Sequence, residues 1–232
     1  MVIVYEGPSR LDRSKNVVAI LTGRSENRGT GPMLQLWILD PEESPLGDRT
    51  TICGSCPLQD GRCYVNWGQA PLSVWNKYKR GGYPVSKQIS VETRGQKVRL
   101  GAAGEPAALP VRVLKALTKE ATSWTGYTHA WKRFPSLRRF LMASVETEAE
   151  AKEAWTKGWR TFRTTTLDKG AARPSWGVMG STQDRLEITC PKVFGKQCFD
   201  CGACNGSQDN TDRRASIVIP VHGNMAVMSH WK

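Results

Sequence analysis

The chain lacks the features that mark membrane, secreted and repetitive proteins. Its 232 residues contain no internal repeat and no low-complexity segment. No apolar run approaches the roughly 20 residues that are needed to cross a bilayer. The first residues do not combine a basic start with a long apolar stretch, so no signal peptide is predicted. These absences predict a cytoplasmic protein with no membrane association.

Several common catalytic motifs are missing as well. There is no Gly-rich phosphate loop of the P-loop type, no Gly-x-Ser-x-Gly and no His-Glu-x-x-His. Histidine is scarce, with three residues in the chain. Two of them, His129 and His222, are candidates for a metal ligand or a proton donor, although a lone histidine is more often a structural residue.

The composition is that of an ordinary globular protein with a strongly basic charge. Hydrophobic residues make up 39% and charged residues 23%, and the length suits one domain over residues 1–232. The 33 Lys and Arg against 21 Asp and Glu give a net charge of +12. Such an excess favours a polyanionic partner such as DNA or RNA. An ordinary basic surface is the alternative that composition leaves open.

Short apolar strands alternate with helices along the chain. Helices are predicted over residues 70–79 and 110–123, and a third begins at the capping box of Thr147 and Glu150 and stops at Gly158. Residues 98–131 and 140–164 then form strand–helix–strand units, which predict an α/β fold with a parallel sheet, either open or curled into a (β/α) partial barrel. The predicted strands cover residues 17–22, 33–39, 98–102, 127–131, 140–145, 160–164, 186–190 and 216–221.

Polar residues fall at the ends of several of these strands. In parallel α/β folds, catalytic groups gather at the carboxyl ends of the strands. We therefore expect an enzyme-like site at that edge, formed by residues that follow predicted strands or lie within them: Glu105, His129, Glu146, Cys190 and His222.

All seven cysteines fall in two groups, in cysteine-rich insertions at about residues 50–66 and 190–206. The first group has the spacing C-x₂-C-x₆-C, and the small Gly54 and Ser55 permit a tight turn between its first two thiols. It offers three ligands, which would leave one position of a metal centre open. The second group ends in C-x₂-C-x₂-C, a spacing used around cubane iron–sulfur clusters. The predicted metal ligands are Cys53, Cys56 and Cys63 in the first group and Cys190, Cys198, Cys201 and Cys204 in the second.

Two alternatives compete with iron at these cysteines. Disulfides are disfavoured because the number of cysteines is odd and the chain is expected in the cytosol. Zinc is the stronger competitor, since the four thiolates of the second group would form a closed tetrahedral structural site.

The first cysteine group resembles the cluster loop of the radical S-adenosylmethionine (SAM) superfamily. In that family three cysteines follow the first barrel strand, and an aromatic residue, here Tyr64, adjoins the last one. The sequence Gly104-Glu105-Pro106 after the strand at 98–102 is similar to the family's Gly-Gly-Glu-Pro motif, with Ala103 in place of the first glycine. The usual cysteine spacing of the family is C-x₃-C-x₂-C, from which this chain departs. The resemblance implies a [4Fe–4S] cluster with SAM as cofactor, with Gly104 and Glu105 as cofactor-binding residues. Glu105 and His129 are the candidate catalytic residues, His129 as a proton donor or a fourth ligand.

Most of the chain also resembles an uncharacterised group of actinobacterial, phage and plasmid proteins. This resemblance implies an origin and no mechanism. The stretches that carry it are residues 52–57, 63–66, 69–75, 99–106 and 126–129.

Three functions remain open from the sequence. The first is a radical-SAM-like iron–sulfur enzyme acting on nucleic acid. The second is a zinc- or cluster-stabilised nucleic-acid-binding protein without catalysis. The third is a phage–host interaction protein whose metal is structural.

Overall fold

The computed structural model describes residues 1–59, 61–165, 187–209 and 212–221. His222, the whole stretch 166–184, whose turn-forming residues predict a loop, and the first residue of the strand predicted at 186–190 lie outside these ranges. All the described strands belong to one sheet, so the predicted α/β class is confirmed. The strands are β1 (Val2–Pro8), β2 (Asn16–Arg24), β3 (Leu34–Leu39), β4 (Lys97–Ala103), β5 (Ser123–Thr128), β6 (Met142–Val145), β7 (Thr161–Thr165), β8 (Glu187–Thr189) and β9 (Ser216–Pro220).

The sheet follows the chain almost strand by strand, in the order β1-β2-β3-β4-β5-β6-β7-β9-β8. The pairs β1–β2 and β2–β3 are antiparallel, and every pair from β3 onward is parallel. Sequential parallel strands place the carboxyl ends of β3 to β7 along one edge. The loops that follow these strands therefore meet there, which is where the sequence places Glu105, His129 and Glu146.

Helices pack on both faces of the sheet: α4 (Val111–Lys119) on one face, and α2 (Ala70–Lys79) on the other face beside β2 and β3. On α4 the apolar stripe of Val113, Leu114 and Leu117 is buried in one core with Val98 and Leu100 of β4. Because side chains alternate along a strand, Arg99, which lies between Val98 and Leu100, points to the opposite face. The helices are α1 (Thr50–Cys53), α2 (Ala70–Lys79), α3 (Ile89–Glu92), α4 (Val111–Lys119), α5 (Glu148–Thr156) and α6 (Cys198–Cys201).

The strand–helix–strand unit predicted at 140–164 is confirmed. Helix α5 connects β6 to β7, and the two strands pair in parallel. Its capping box is present: the Glu150 amide donates to Thr147 Oγ1 over 3.1 Å, and the Thr147 amide donates to Glu150 Oε2 over 3.2 Å. Gly158 has φ +78°, in keeping with its predicted role as the stop.

Two predicted boundaries around β5 are wrong. The helix predicted over 110–123 ends at Lys119, and the strand predicted over 127–131 lies earlier, at Ser123–Thr128, with a short 3₁₀ helix at Ala130–Lys132. The reason is tertiary pairing, because Ser123 to Gly126 pair in register with Lys97 to Leu100 of β4. Strand β1 was not predicted.

The described helices are all short. None of them has both the length and the apolar character required to span a bilayer.

Candidate metal centre and adjoining cavities

The first cysteine group lies in the connection between β3 and β4. Helix α1 ends at Cys53, and the chain turns at Gly54, whose φ is +55°. The Cys56 amide donates to the Cys53 carbonyl over 3.2 Å, and Gln59 Nε2 donates to the Gly54 carbonyl over 2.7 Å. The tight turn that the small residues predicted is therefore present.

The loop after β4 packs directly on this turn. The Glu105 amide donates to the Ile52 carbonyl over 2.7 Å, one residue before Cys53. Gly104 has φ +79°, and a Cβ at this position would collide with the carbonyl oxygen of Ile38. Only glycine fits this close approach of two backbones. The Gly104-Glu105-Pro106 segment and the first cysteine group are thus adjacent in space.

Glu105 connects two loops through its buried carboxylate. Oε1 accepts a hydrogen bond from the Ala107 amide over 3.0 Å, and Oε2 accepts one from the His129 amide over 2.9 Å. The residue is 7% exposed, and no cationic side chain of the described residues forms an ion pair with it. A carboxylate has about four acceptor positions, so capacity for a further donor remains.

His129 lies between a thiol and a second carboxylate. Its Nε2 is 2.9 Å from Glu146 Oε1, and its Nδ1 is 3.4 Å from Cys56 Sγ. Burial opposes the charged imidazolium, but the hydrogen bonds to Cys56 and Glu146 outweigh it and raise the pKa of His129 well above its usual value. His129 thus joins Glu105 and Glu146, from the loops that follow β4 and β6, in one hydrogen-bonded group.

A cavity of about 110 Å³ joins these groups. The three thiols of the first group line it together with Gly104, Glu105 and His129. Trp67 forms a hydrogen bond with Cys63, and its ring lies 5.2 Å from the Arg49 guanidinium carbon. Every residue that the sequence assigned to the first site therefore borders one cavity.

The second cysteine group gathers residues from two stretches of the loop between β8 and β9. Cys190 follows β8 and its amide donates to the Val218 carbonyl over 2.7 Å, while Cys198 and Cys201 lie on α6. The Cys204 carbonyl accepts from the Gly126 amide over 3.0 Å, which attaches this loop to β5. The thiols border a cavity of about 20 Å³, which is lined by Cys190, Cys198, Cys201 and Cys204 among others.

All seven cysteines lie in the described ranges and are free thiols. Burial, together with the neighbouring thiols, raises the pKa of Cys190 to about 11 and that of Cys204 to about 12. Burial and the neighbouring Cys56, Cys63 and Glu105 likewise raise the pKa of Cys53 far above its usual value. Among the described residues, no three His, Cys, Asp or Glu side chains are arranged to hold one metal ion. The two groups are therefore clusters of free thiols around cavities, without an assembled single-ion site.

A third and larger cavity, of about 320 Å³, lies between the two cysteine groups. Leu58 and Tyr64 of the first cysteine loop line it, and so do Cys190 and Cys198 of the second group. Tyr127 borders all three cavities, and its ring centroid is 4.3 Å from that of Phe162. Its side chain also forms a hydrogen bond with Cys204.

Arg99 and Tyr127 are site residues that sequence reasoning missed. Both belong to central parallel strands, whose residues are usually apolar on both faces. An arginine within the segment Lys97–Ala103 departs from that pattern, and it was the available sign that one face of this sheet lines a cavity. Tyr127 carried no such sign, because a buried tyrosine in a strand is common.

Comparison with known proteins gives no further identification. The chain matches no protein-family model, no curated protein and no solved structure.

Proposed function

We propose that this chain is an iron–sulfur enzyme of the radical SAM type, with a [4Fe–4S] cluster held by Cys53, Cys56 and Cys63. One observation carries the proposal. The first cysteine group and the Gly104-Glu105-Pro106 segment, which are about 50 residues apart in the chain, line one cavity and are joined by the hydrogen bond from Glu105 to Ile52. The resemblance to the superfamily requires this adjacency, and nothing in local sequence enforces it.

The cavity beside the first cysteine group has room for a group larger than a single ion. Zinc–sulfur bonds of about 2.3 Å hold tetrahedral thiolates about 3.8 Å apart. No three candidate ligands of the described residues meet the requirement for one ion. A four-iron cluster spaces its cysteines more widely, and the cavity of about 110 Å³ provides room beside the thiols. Binding would displace the protons of the buried thiols, as metal binding to cysteine generally does.

Glu105 supports the binding of a cationic cofactor. Its carboxylate is buried, has two backbone donors and forms no ion pair with a described residue. The ammonium group of SAM would supply the missing positive charge. Gly104 keeps the backbone close to Ile38, so the side of the cavity next to the cofactor carries no side chain at this point.

His129 and Glu146 would serve proton transfer beside the cluster. The imidazole is held at both nitrogens, by Glu146 and by Cys56, so its orientation is fixed before any ligand binds. When bound, a reduced cluster with one open iron supplies the electron that cleaves the sulfonium of SAM. The residues of this chain would orient the cofactor, exclude water and hold a proton at the imidazole.

The second cysteine group would carry an auxiliary cluster. Zinc as a structural ion is the alternative, and it would require the four thiols to move closer together, because no three described ligands are placed to hold one ion. These four thiols border one small cavity at the far side of the 320 Å³ cavity. The consecutive parallel strands are compatible with the finer proposal of a partial barrel. Membership in the actinobacterial, phage and plasmid group is proposed from the sequence resemblance alone. The proposed compartment is the cytoplasm.

Metal content tests the first site directly. Anaerobically purified and reconstituted protein should be brown and should contain about four irons for each cluster. Joint replacement of Cys53, Cys56 and Cys63 by alanine should remove about four irons and leave those of the second group. Replacement of Cys198 and Cys201 by alanine is the complementary variant, and it should spare the first cluster. A colourless protein that carries zinc would contradict the proposal.

Cofactor cleavage tests the chemistry. Under dithionite, iron-loaded protein should release deoxyadenosine from SAM, and the triple cysteine variant should not. Glu105→Gln should keep the iron content but weaken SAM binding about tenfold, because it removes the charge that faces the ammonium. Full iron content without SAM binding would leave an iron–sulfur protein and reject the enzyme.

A second candidate function rests on the contacts of His129. Cys56, His129 and Glu146 are arranged as a thiol, a base and a carboxylate that orients the base, with separations of 3.4 Å and 2.9 Å. This is the pattern of a nucleophilic cysteine. In metal-free protein, His129→Gln would then slow the modification of Cys56 by iodoacetamide and leave that of Cys53 unchanged. An unchanged rate at Cys56 would reject this candidate.

A further inference from the structure

The charged side chains among the described residues that line the 320 Å³ cavity are all cationic. They are Arg62, Arg99 and Lys192, and no Asp or Glu is among these lining residues. Arg99 is half-buried in a central strand, and its guanidinium makes no hydrogen bond or ion pair with a described residue. Removing an arginine from water without a partner is costly. An anionic ligand would offset that cost.

The position of Arg99 on β4 places its side chain on the face of the sheet that lines this cavity. Arg99 pairs with Gln35 on one side and Thr125 on the other, on the face opposite the buried Val98 and Leu100. Its positive charge acts on the nearby Cys198 thiol, opposing the rise in pKa that burial causes there. Arg99 therefore borders the same cavity as Cys190 and Cys198 of the second cysteine group.

Aromatic rings form much of the remaining wall. Trp37, Tyr64, Tyr127 and Phe162 line the cavity, and Tyr127 and Phe162 are in contact with each other. Tyr64 is 52% exposed, which places an aromatic surface at the mouth. Arginine forks bind phosphate oxygens in pairs, and aromatic faces stack on nucleobases. A volume of about 320 Å³ is within the usual range for a small-ligand site.

We propose that this cavity binds a nucleotide, with Arg99 holding its phosphate and the aromatic wall contacting its base. This inference rests on the proposed function only in one respect, which is that the cavity is the substrate site. The argument from the charge of Arg99 does not depend on bound iron. Free mononucleotides and the end of a single strand present the same chemistry. The net charge of +12 is compatible with either source.

Equilibrium dialysis of the full chain tests the proposal. The ligands are AMP, adenosine, inorganic phosphate and a short 5′-phosphorylated single-stranded DNA. We expect AMP or the oligonucleotide to bind at least about tenfold more tightly than adenosine, and whichever binds better identifies the source. Failure of both to bind would overturn the proposal.

Matched variants distinguish the contribution of Arg99 to binding from the effect of losing one positive charge elsewhere. Arg99→Gln should weaken binding about tenfold, Arg99→Lys should weaken it less, and Arg94→Gln should change it less than about twofold. Arg94 is exposed and does not line the cavity, so this control removes the same charge elsewhere. Equal losses in Arg99→Gln and Arg94→Gln would reject the site, and Arg99→Lys keeps the test usable if Arg99→Gln does not fold.

Iron content measured on the same samples keeps the two proposals apart. If protein that has been reconstituted anaerobically takes up no iron but binds the nucleotide, this inference is retained and the proposed function is rejected. Iron-loaded protein that binds neither nucleotide would reject the inference alone.

Discussion

Replacing Arg160 by methionine should destabilise the protein strongly. Arg160 is 2% exposed and lies just before β7. Its guanidinium donates four hydrogen bonds to three backbone carbonyls: those of Ala203 (2.8 Å), Gly206 (3.1 Å) and Ala215 (3.2 Å and 2.6 Å). The side chain therefore attaches the loop that contains Cys204 to the sheet.

The magnitude follows from what the substitution leaves behind. Each buried carbonyl that loses its donor costs about 1–3 kcal/mol, and such losses are not additive. A hydrogen bond from a charged donor contributes about 1.5–3 kcal/mol, so the loss of a donor that serves three carbonyls should cost about 3–5 kcal/mol. We expect a loss in that range, which is a large part of the 5–15 kcal/mol stability that is usual for a domain.

Urea unfolding followed by circular dichroism measures the effect. With a slope near 3 kcal/mol per molar, the midpoint should fall by about 1–2 M. Arg213→Met is the matched control, because Arg213 is exposed in the same loop, and its change should stay within about 0.5 kcal/mol. A loss below about 1 kcal/mol for Arg160→Met, or one equal to the control, would refute this account of the loop.

Two further predictions concern backbone strain and acid stability. Gly104→Ala should cost several times the roughly 1 kcal/mol expected of Gly195→Ala in thermal melts, because both have positive φ but only Gly104 would meet the Ile38 carbonyl. Equal losses would contradict the collision. Hydrogen bonds, mainly from the Arg214 side chain, hold the pKa of Asp212 well below its usual 3.8 despite burial. Its stabilisation should therefore be complete above pH 3.8 and decline below it, so the stability gap between wild type and Asp212→Asn should narrow as the pH falls below that value. A gap that stays constant down to pH 2 would oppose this.

The sequence alone determined the class of fold, the helix caps and the grouping of the thiols. The capping box at Thr147 and the turn at Gly54 depend on residues a few positions apart, so local pattern suffices for them. Alternation of strands and helices was enough to predict a parallel sheet and to expect Glu105, His129 and Glu146 at one edge. The same alternation did not predict the bounds of β5, because the pairing of β5 with β4 determines where that strand begins.

Tertiary structure alone decided which of these groups share a cavity. The contact of His129 with Cys56 joins residues 73 positions apart, and the bonds of Arg160 to the second cysteine loop reach 43 to 55 positions away. No local periodicity encodes contacts of that separation. The position of Arg99 beside Cys198 likewise depends on which face of β4 the helices cover, and packing of α4 on Val98 and Leu100 determines that face. The cavity between the cysteine groups is for this reason a property of the assembled sheet and of no single segment.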